Sequence, residues 1–229
     1  MTRRILQHLA RIDPVLSGVI AAVGPYRPKY TPPDSTFHAL ARAIAHQQLH
    51  RNAAESILRR LETRFGGRFP SAAELHDTSD ADVRAAGFSF AKIASLKDLA
   101  RKSLDGTVPE RHVLAQLPDA EIIERLTEVR GIGRWTVEML LIFGLARPDV
   151  LPVDDFGIRE GFRRAYGLRK APAARALARY GERWAPYRSI AAWYLWRAVE
   201  LARLGQLPKP PLRTRLPAVR RRKKRSRRD

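Results

Sequence analysis

The sequence predicts an all-α protein, and three observations carry that prediction. Apolar residues recur at helical spacing along most of the chain, as in Phe37, Leu40, Ala41 and Ile44. Ser, Asp and Pro stand where helices would begin, and Gly stands where they would end. Strand-like alternation never persists beyond a few residues. With 229 residues, 45% of them hydrophobic, the chain can bury one substantial core or two small ones that share an interface. The expectation is two helical subdomains flanking a cleft, within residues 1–212, followed by a disordered basic tail over 213–229.

Taken in order, residues 3–23 carry two short helical patterns, Ile5/Leu6/Leu9/Ile12 and Val15/Val19/Ile20/Val23, divided at Asp13-Pro14, where Asp caps and Pro starts a helix. Three prolines then deny helix to residues 28–33. Asp34 or Ser35 caps a helix that runs to about His46, and another begins at Ala53 and stops at Gly66-Gly67. Ser71 and Ser79 are candidate caps, Gly87 ends a helix, and Ala91 to Ala100 pack the next. Pro118-Asp119 opens a helix through Ile122, Ile123 and Leu126. Phe156 to Tyr166 reads as helix ended by Gly167, Pro172 to Leu177 as a shorter one, and about Pro186 to Leu204 as the last.

The formal net charge is +20, and residues 213–229 hold ten Lys/Arg and one Asp, so the body still carries about +11. A basic body with a basic tail points to a polyanion, and nucleic acid fits better than membrane, because no strongly amphipathic membrane helix stands out. A merely solvated basic surface is the plainer alternative. There is no cysteine, which excludes disulfides, a thiol nucleophile and a cysteine-ligated iron–sulfur cluster. No run of about 18 apolar residues occurs, and the N-terminus turns polar too early for a signal peptide, so a cytoplasmic protein without a membrane span is expected. His8, His38, His46, His50, His76 and His112 are scattered without zinc-site spacing.

The most informative stretch is residues 126–159. The helix ending at Leu126-Thr127 leads into Val129-Arg130-Gly131-Ile132-Gly133-Arg134-Trp135-Thr136, a tight Gly-Ile-Gly turn opening a second helix. Glycines tolerate positive φ and close approach of another molecule, and a helix start offers unpaired N–H groups to an anion such as a phosphodiester. A loop, Leu151-Pro152-Val153-Asp154-Asp155, then brings two carboxylates to the start of a third helix. Gly-x-Gly alone would mean only a helix–helix connection. Joined to Pro-x-Asp-Asp at this spacing, the stretch resembles the helix-hairpin-helix and Gly/Pro/Asp-loop signature of base-excision DNA glycosylases, and most closely the 3-methyladenine DNA glycosylase II branch.

That resemblance implies a DNA glycosylase of base excision repair, acting as a monomer on double-stranded DNA that contains alkylated bases, associated with the nucleoid. Family members with an N-terminal β-domain are longer, and none is expected here. Asp155 matches the catalytic aspartate, although an Asp at a helix start can equally be only an N-cap; Asp154 beside it is expected to be structural or capping. A carboxylate near C1′ stabilises the oxocarbenium character that builds as an N-glycosidic bond breaks, and it can orient the attacking water. Strand-nicking relatives carry an amine two residues after the second glycine; Trp135 stands there and cannot form a Schiff base, which implies hydrolysis without strand cleavage.

Trp135 and Tyr187 match base-pocket positions, with Met139 one turn on, unless both aromatics are core residues. An electron-rich pocket suits a purine made cationic by alkylation. Gln48, in the helix–Gln-Gln–helix stretch, matches the residue wedged into DNA where the base leaves the stack, the alternative being an exposed polar turn. Gly131, Ile132, Gly133, Arg134 and Thr136 would form the phosphate-binding hairpin. Gly87-Phe88-Ser89-Phe90-Ala91-Lys92 resembles a family stretch read as structural. No cofactor is required by the resemblance, which does imply a monovalent cation, Na+ or K+, on the backbone carbonyls of Thr127, Val129 and Ile132. The family commonly has Pro where this chain has Arg130, which could itself meet a phosphate. Another lesion class, such as a deaminated base, and a non-catalytic hairpin DNA-binding protein remain the alternatives.

Overall fold

The structure is a computed structural model that describes residues 2–30 and 34–211. Every regular element among these residues is helical. The chain forms two compact units, one from the segments up to Pro28 and from Arg147 onward, the other from Lys29 to Ala146. The basic tail over 213–229 and the Thr31–Pro33 part of the proline-rich connector lie outside the described residues.

The chain starts with α1 (Thr2–Ile12) and α2 (Pro14–Val23). Asp13 caps α2 as its position predicts, its Oδ1 accepting from Leu16 N at 3.1 Å, with Pro14 in the first turn. Asp13 does more than cap: it is fully buried, and its Oδ2 also accepts from Tyr166 Oη at 2.6 Å and Trp184 Nε1 at 2.9 Å. Removing a carboxylate from water is costly, and here three donors offset that cost. Burial and the Asp13 carboxylate push the Tyr166 phenol well above its ordinary value.

The second unit runs through α3 (Thr36–His46), α4 (Arg51–Arg64), α5 (Ala72–Asp77), α6 (Asp80–Ala85), α7 (Phe90–Leu104), α8 (Arg111–Leu114), α9 (Asp119–Thr127) and α10 (Arg134–Met139), which passes into a π-helical turn, Leu140–Gly144. Ser35, Ser71, Ser79 and Ser89 each accept from a backbone N–H in the first turn of α3, α5, α6 and α7. α4 begins at Arg51 rather than Ala53, because His50 Nδ1 accepts from Asn52 N and provides the earlier cap. The four-residue α8 and the π-helical turn were not expected from the sequence.

α7 organises this unit. Lys92 Nζ donates to Ala45 O (2.7 Å) at the end of α3. Lys97 Nζ donates to Leu75 O (2.9 Å), His76 O (2.8 Å) and Thr78 O at the end of α5. Lys102 Nζ donates to Glu128 O at the end of α9. Each ammonium meets carbonyls that helix geometry leaves unpaired, at the negative end of a helix dipole. The Gly-x-Ser-x-x-Lys stretch is therefore structural, as its reading proposed.

The chain returns to the first unit with α11 (Phe156–Ala165), α12 (Ala174–Gly181), a 3-10 turn (Glu182–Trp184) and α13 (Arg188–Arg203). α12 starts two residues after Pro172, whose carbonyl accepts from Arg159 Nε at 2.9 Å, and α13 starts after the turn at 185–187 rather than at Pro186. α11 packs directly on α13, and a Cβ at Gly161 would stand 2.0 Å from Leu195 O, so only glycine permits this approach.

Candidate active site

Asp155 sits at the N-cap of α11, after a loop closed by Asp155 N donating to Pro152 O at 3.1 Å. Its Oδ1 accepts from Ile158 N at 2.7 Å and from Trp196 Nε1 at 2.9 Å. The cap is thus Asp155; Asp154 is exposed, which corrects its expected capping role. Capping and chemistry are compatible in one carboxylate, since the first fixes its direction. Trp196 was missed in the sequence. It stands off the apolar face of α13 formed by Ile190, Ala191, Tyr194, Leu195 and Ala198, and a Trp off that spacing was its only signal in the sequence.

In the other unit the hairpin joins α9 to α10. Gly131 has φ +78°, and a Cβ there would come 2.8 Å from Ser95 Oγ, so both conformation and space require glycine. Gly133 does not use the positive φ open to glycine: at φ −93°, ψ 166° it is extended backbone, and it serves as N-cap of α10. A Cβ at Gly133 would meet nothing within 4 Å, which leaves its backbone open to another molecule. Arg130, the departure from proline, donates its backbone N–H to Asp98 Oδ2 on α7 at 2.8 Å, so the hairpin is anchored without that proline. Arg134 is largely exposed, with Nε donating to the buried Glu138 Oε1 at 2.9 Å.

A cavity of about 740 Å³ lies beside the hairpin, and Trp135, Thr136, Met139, Gly131 and Gln48 all line it. Trp135 is 51% exposed, so it is not a core residue. Tyr187 belongs to the other unit, where it lines a recess with Arg4, Ile5 and His8 and meets the His8 ring edge-on at 5.9 Å. Gln48 is exposed at φ +57°, the left-handed region that costs a non-glycine residue roughly 1 kcal/mol or more and that clusters at functional sites. Its neighbour Gln47, which the sequence did not single out, donates Nε2 to Gly131 O at 2.7 Å and ties this loop to the hairpin.

The carbonyls of Thr127 and Ile132 accept no hydrogen bond among the described residues, and that of Val129 accepts only from Ile132 N at 3.0 Å. This donor set, neutral oxygens with lone pairs to spare, fits a monovalent cation. Among the described residues no cluster of His, Asp and Glu could hold a metal. No described helix is long and apolar enough to cross a membrane.

A glycine hairpin that opens one helix, followed by a loop whose aspartate caps the next, defines a helix-hairpin-helix protein with a directed carboxylate. The model of the HhH-GPD superfamily base excision DNA repair protein family matches residues 41–186, and the chain belongs to that family. It is 43% identical over 197 residues to DNA-3-methyladenine glycosylase 1 of Schizosaccharomyces pombe, covering 85% of this chain and 86% of that one. The structure resembles that of the fission-yeast 3-methyladenine DNA glycosylase in complex with abasic DNA, with TM-score 0.76 and 42% identity over 87% of this chain and 98% of that one. It also resembles the DNA-3-methyladenine glycosidase of Bacillus halodurans, with TM-score 0.80 and 32% identity over 87% and 91% of the two chains.

Proposed function

We propose that this protein is a monofunctional DNA glycosylase that flips alkylated purines of the 3-methyladenine type out of duplex DNA and hydrolyses the glycosidic bond, leaving an abasic site. The single observation that carries this reading is Trp135, half exposed on the wall of a cavity it shares with Met139 and Gln48. An exposed tryptophan is costly in water and useful against a flat, positively charged base, which it attracts by about 0.5–2 kcal/mol. The names of the similar proteins support the same substrate class.

In this reading water adds to C1′ as the bond to the base breaks, passing a proton to the Asp155 carboxylate, and the base leaves with the bonding electrons, which neutralise its positive charge. Asp155, oriented by Ile158 N and Trp196 Nε1, stabilises the oxocarbenium character and orients the water. A cationic leaving group needs no separate general acid. Gln48 fills the vacated stack, and the backbone of Gly131–Thr136, with Arg134, grips a phosphate. Carbonyls of Thr127, Val129 and Ile132 would hold a monovalent cation, which supplies positive charge toward that phosphate when bound. We place the enzyme on nucleoid DNA in the cytoplasm, as a monomer. Base release from duplexes bearing 3-methyladenine, 7-methylguanine or hypoxanthine tests the reading: release of alkylated bases is expected, and release of hypoxanthine alone would assign a deaminated-base enzyme instead.

A further inference from the structure

We propose that the arginine-rich surface of α11 and α12 is a second contact for duplex DNA, holding the phosphate backbone without regard to damage; this rests on the chain's membership of a DNA-repair family and not on the choice of lesion. Residues 156–183 hold eight Lys/Arg and two Glu, a net +6, so more than half of the body's charge of about +11 comes from this stretch. Glu160 is taken up by Arg163 and Arg164. Arg159 donates Nε to Pro172 O at 2.9 Å, which folds the connecting loop back onto α11. Arg169, Lys170, Arg175 and Arg179 stand exposed on that loop and on α12. Arg175 and Arg179 are one turn apart and share a face, and no described carboxylate pairs with Arg169, Lys170 or Arg175. Gathered like charges repel, and a surface meant only for water would pair them, as Asp149 pairs Arg188 elsewhere in this unit.

The kind of polyanion follows from what the surface lacks. Phe162, Tyr166, Tyr180 and Trp184, the aromatic residues here, are all buried, and among the described residues 157–203 no large apolar side chain is exposed. A protein partner would need an apolar or aromatic anchor, and single-stranded nucleic acid would need ring faces on which to stack. A duplex keeps its bases inside and presents phosphates, which guanidinium and ammonium groups suit.

The attachment of the chain's other concentration of charge points the same way. Residues 205–210 pass beside the end of α11: Gly205 and Leu207 line a recess with Arg163, Arg164, Gly167 and Leu168, and a Cβ on Gly167 would stand 3.1 Å from Pro210 Cγ. The net +9 of residues 213–229 is therefore tethered at the edge of this surface.

The test is the affinity of the full-length chain for an undamaged duplex and for one carrying an abasic-site analogue, each measured across a salt series, with melting temperatures checked in parallel. The triple variant Arg169→Gln, Lys170→Gln, Arg175→Gln should lower the slope of log affinity against log salt by about 2–3, since each lost phosphate contact is worth about 0.9. Both duplexes should weaken equally, by roughly tenfold or more at ~0.1 M salt. The comparison is Arg59→Gln, Arg64→Gln, Arg68→Gln, which removes the same charge from exposed positions on the last turns of α4 and the loop after it, where Asp82 and Glu74 already pair two of the three. Its slope should fall by less than about 1. Arg169→Lys with Arg175→Lys, which keeps the charge, should keep the wild-type slope. An unchanged slope in the first variant, an equal fall in the second, or a loss confined to the abasic duplex would overturn the proposal. Because the undamaged duplex contains nothing to excise, these outcomes stand whether or not the chain releases alkylated bases, and the two readings fail separately.

Discussion

Trp196 Nε1 donates to Asp155 Oδ1 at 2.9 Å, joining α13 to the start of α11 across 41 residues of sequence. On the glycosylase reading that bond is expected to make Trp196 a positioning residue. Trp196→Phe should keep most of the ring's packing yet slow single-turnover base release by roughly tenfold, the value of one hydrogen bond to a charged group. The melting temperature should fall little. An unchanged rate would remove Trp196 from the machinery.

Asp155→Asn separates capping from chemistry. Asn retains an oxygen for Ile158 N and caps helices about as well as Asp, so the fold and binding to an abasic-site analogue should survive. Base release should be abolished, because the negative charge opposite the oxocarbenium is gone. Activity near wild type would refute the catalytic assignment.

Trp135→Ala should cost only about 1 kcal/mol of stability, since the side chain is half exposed. Release of cationic bases should nonetheless collapse, and binding of a flipped cationic base should weaken by about 1–3 kcal/mol. Calorimetry beside single-turnover kinetics checks both halves. Borohydride should trap no enzyme–DNA adduct, because the amine position holds tryptophan; a robust adduct would expose a lysine nucleophile.

Gly161→Ala should be far more disruptive than its one methyl group suggests. The new Cβ would overlap the Leu195 carbonyl at 2.0 Å, and backbone cannot swing aside as a side chain can. About 1–3 kcal/mol of destabilisation is expected from forcing α11 off α13, measured by denaturant unfolding. Asp155 starts the displaced helix, so activity should fall in the molecules that remain folded.

Acid should loosen α11 in a defined window. Glu160 is held at about 2, first by its hydrogen bonds from Arg163 and then by those from Arg164. A carboxylate whose folded value is depressed contributes stability that is complete above its ordinary value of 4.5 and is lost as pH falls toward about 2. Glu160→Gln should flatten the melting temperature against pH across that interval. An identical slope in the variant would assign the acid sensitivity to other groups.

What could be read beforehand was what is local. Asp13, Ser35, Ser71, Ser79 and Ser89 announce helix starts because a cap acts within three residues, and Gly87 and Gly167 announce ends because positive φ suits glycine. The hairpin turn and the Asp155 cap were legible because each is set by one short stretch. Illegible were the pairings between distant segments: Asp13 with Tyr166 and Trp184, Trp196 with Asp155, Lys97 with the end of α5. A lone lysine or tryptophan in a helix has many possible partners, and only the packed chain selects one. The extended backbone of Gly133 was illegible for a related reason, since glycine permits positive φ without demanding it.

The three lysines of α7 have a consequence for how any DNA must fit. The loop bearing Gln48 follows a helix end fastened by Lys92, and the hairpin follows one fastened by Lys102, with Asp98 between them on Arg130. One rigid rod thus acts as a gauge block that fixes the spacing between the two parts expected to meet the duplex. A gauge block does not yield to the workpiece. On the glycosylase reading the strain of fitting should fall on the nucleic acid, and a helix already weakened by a poorly stacked base should deform at lower cost than an intact one, so the duplex's stiffness is expected to be tested before any base is inspected.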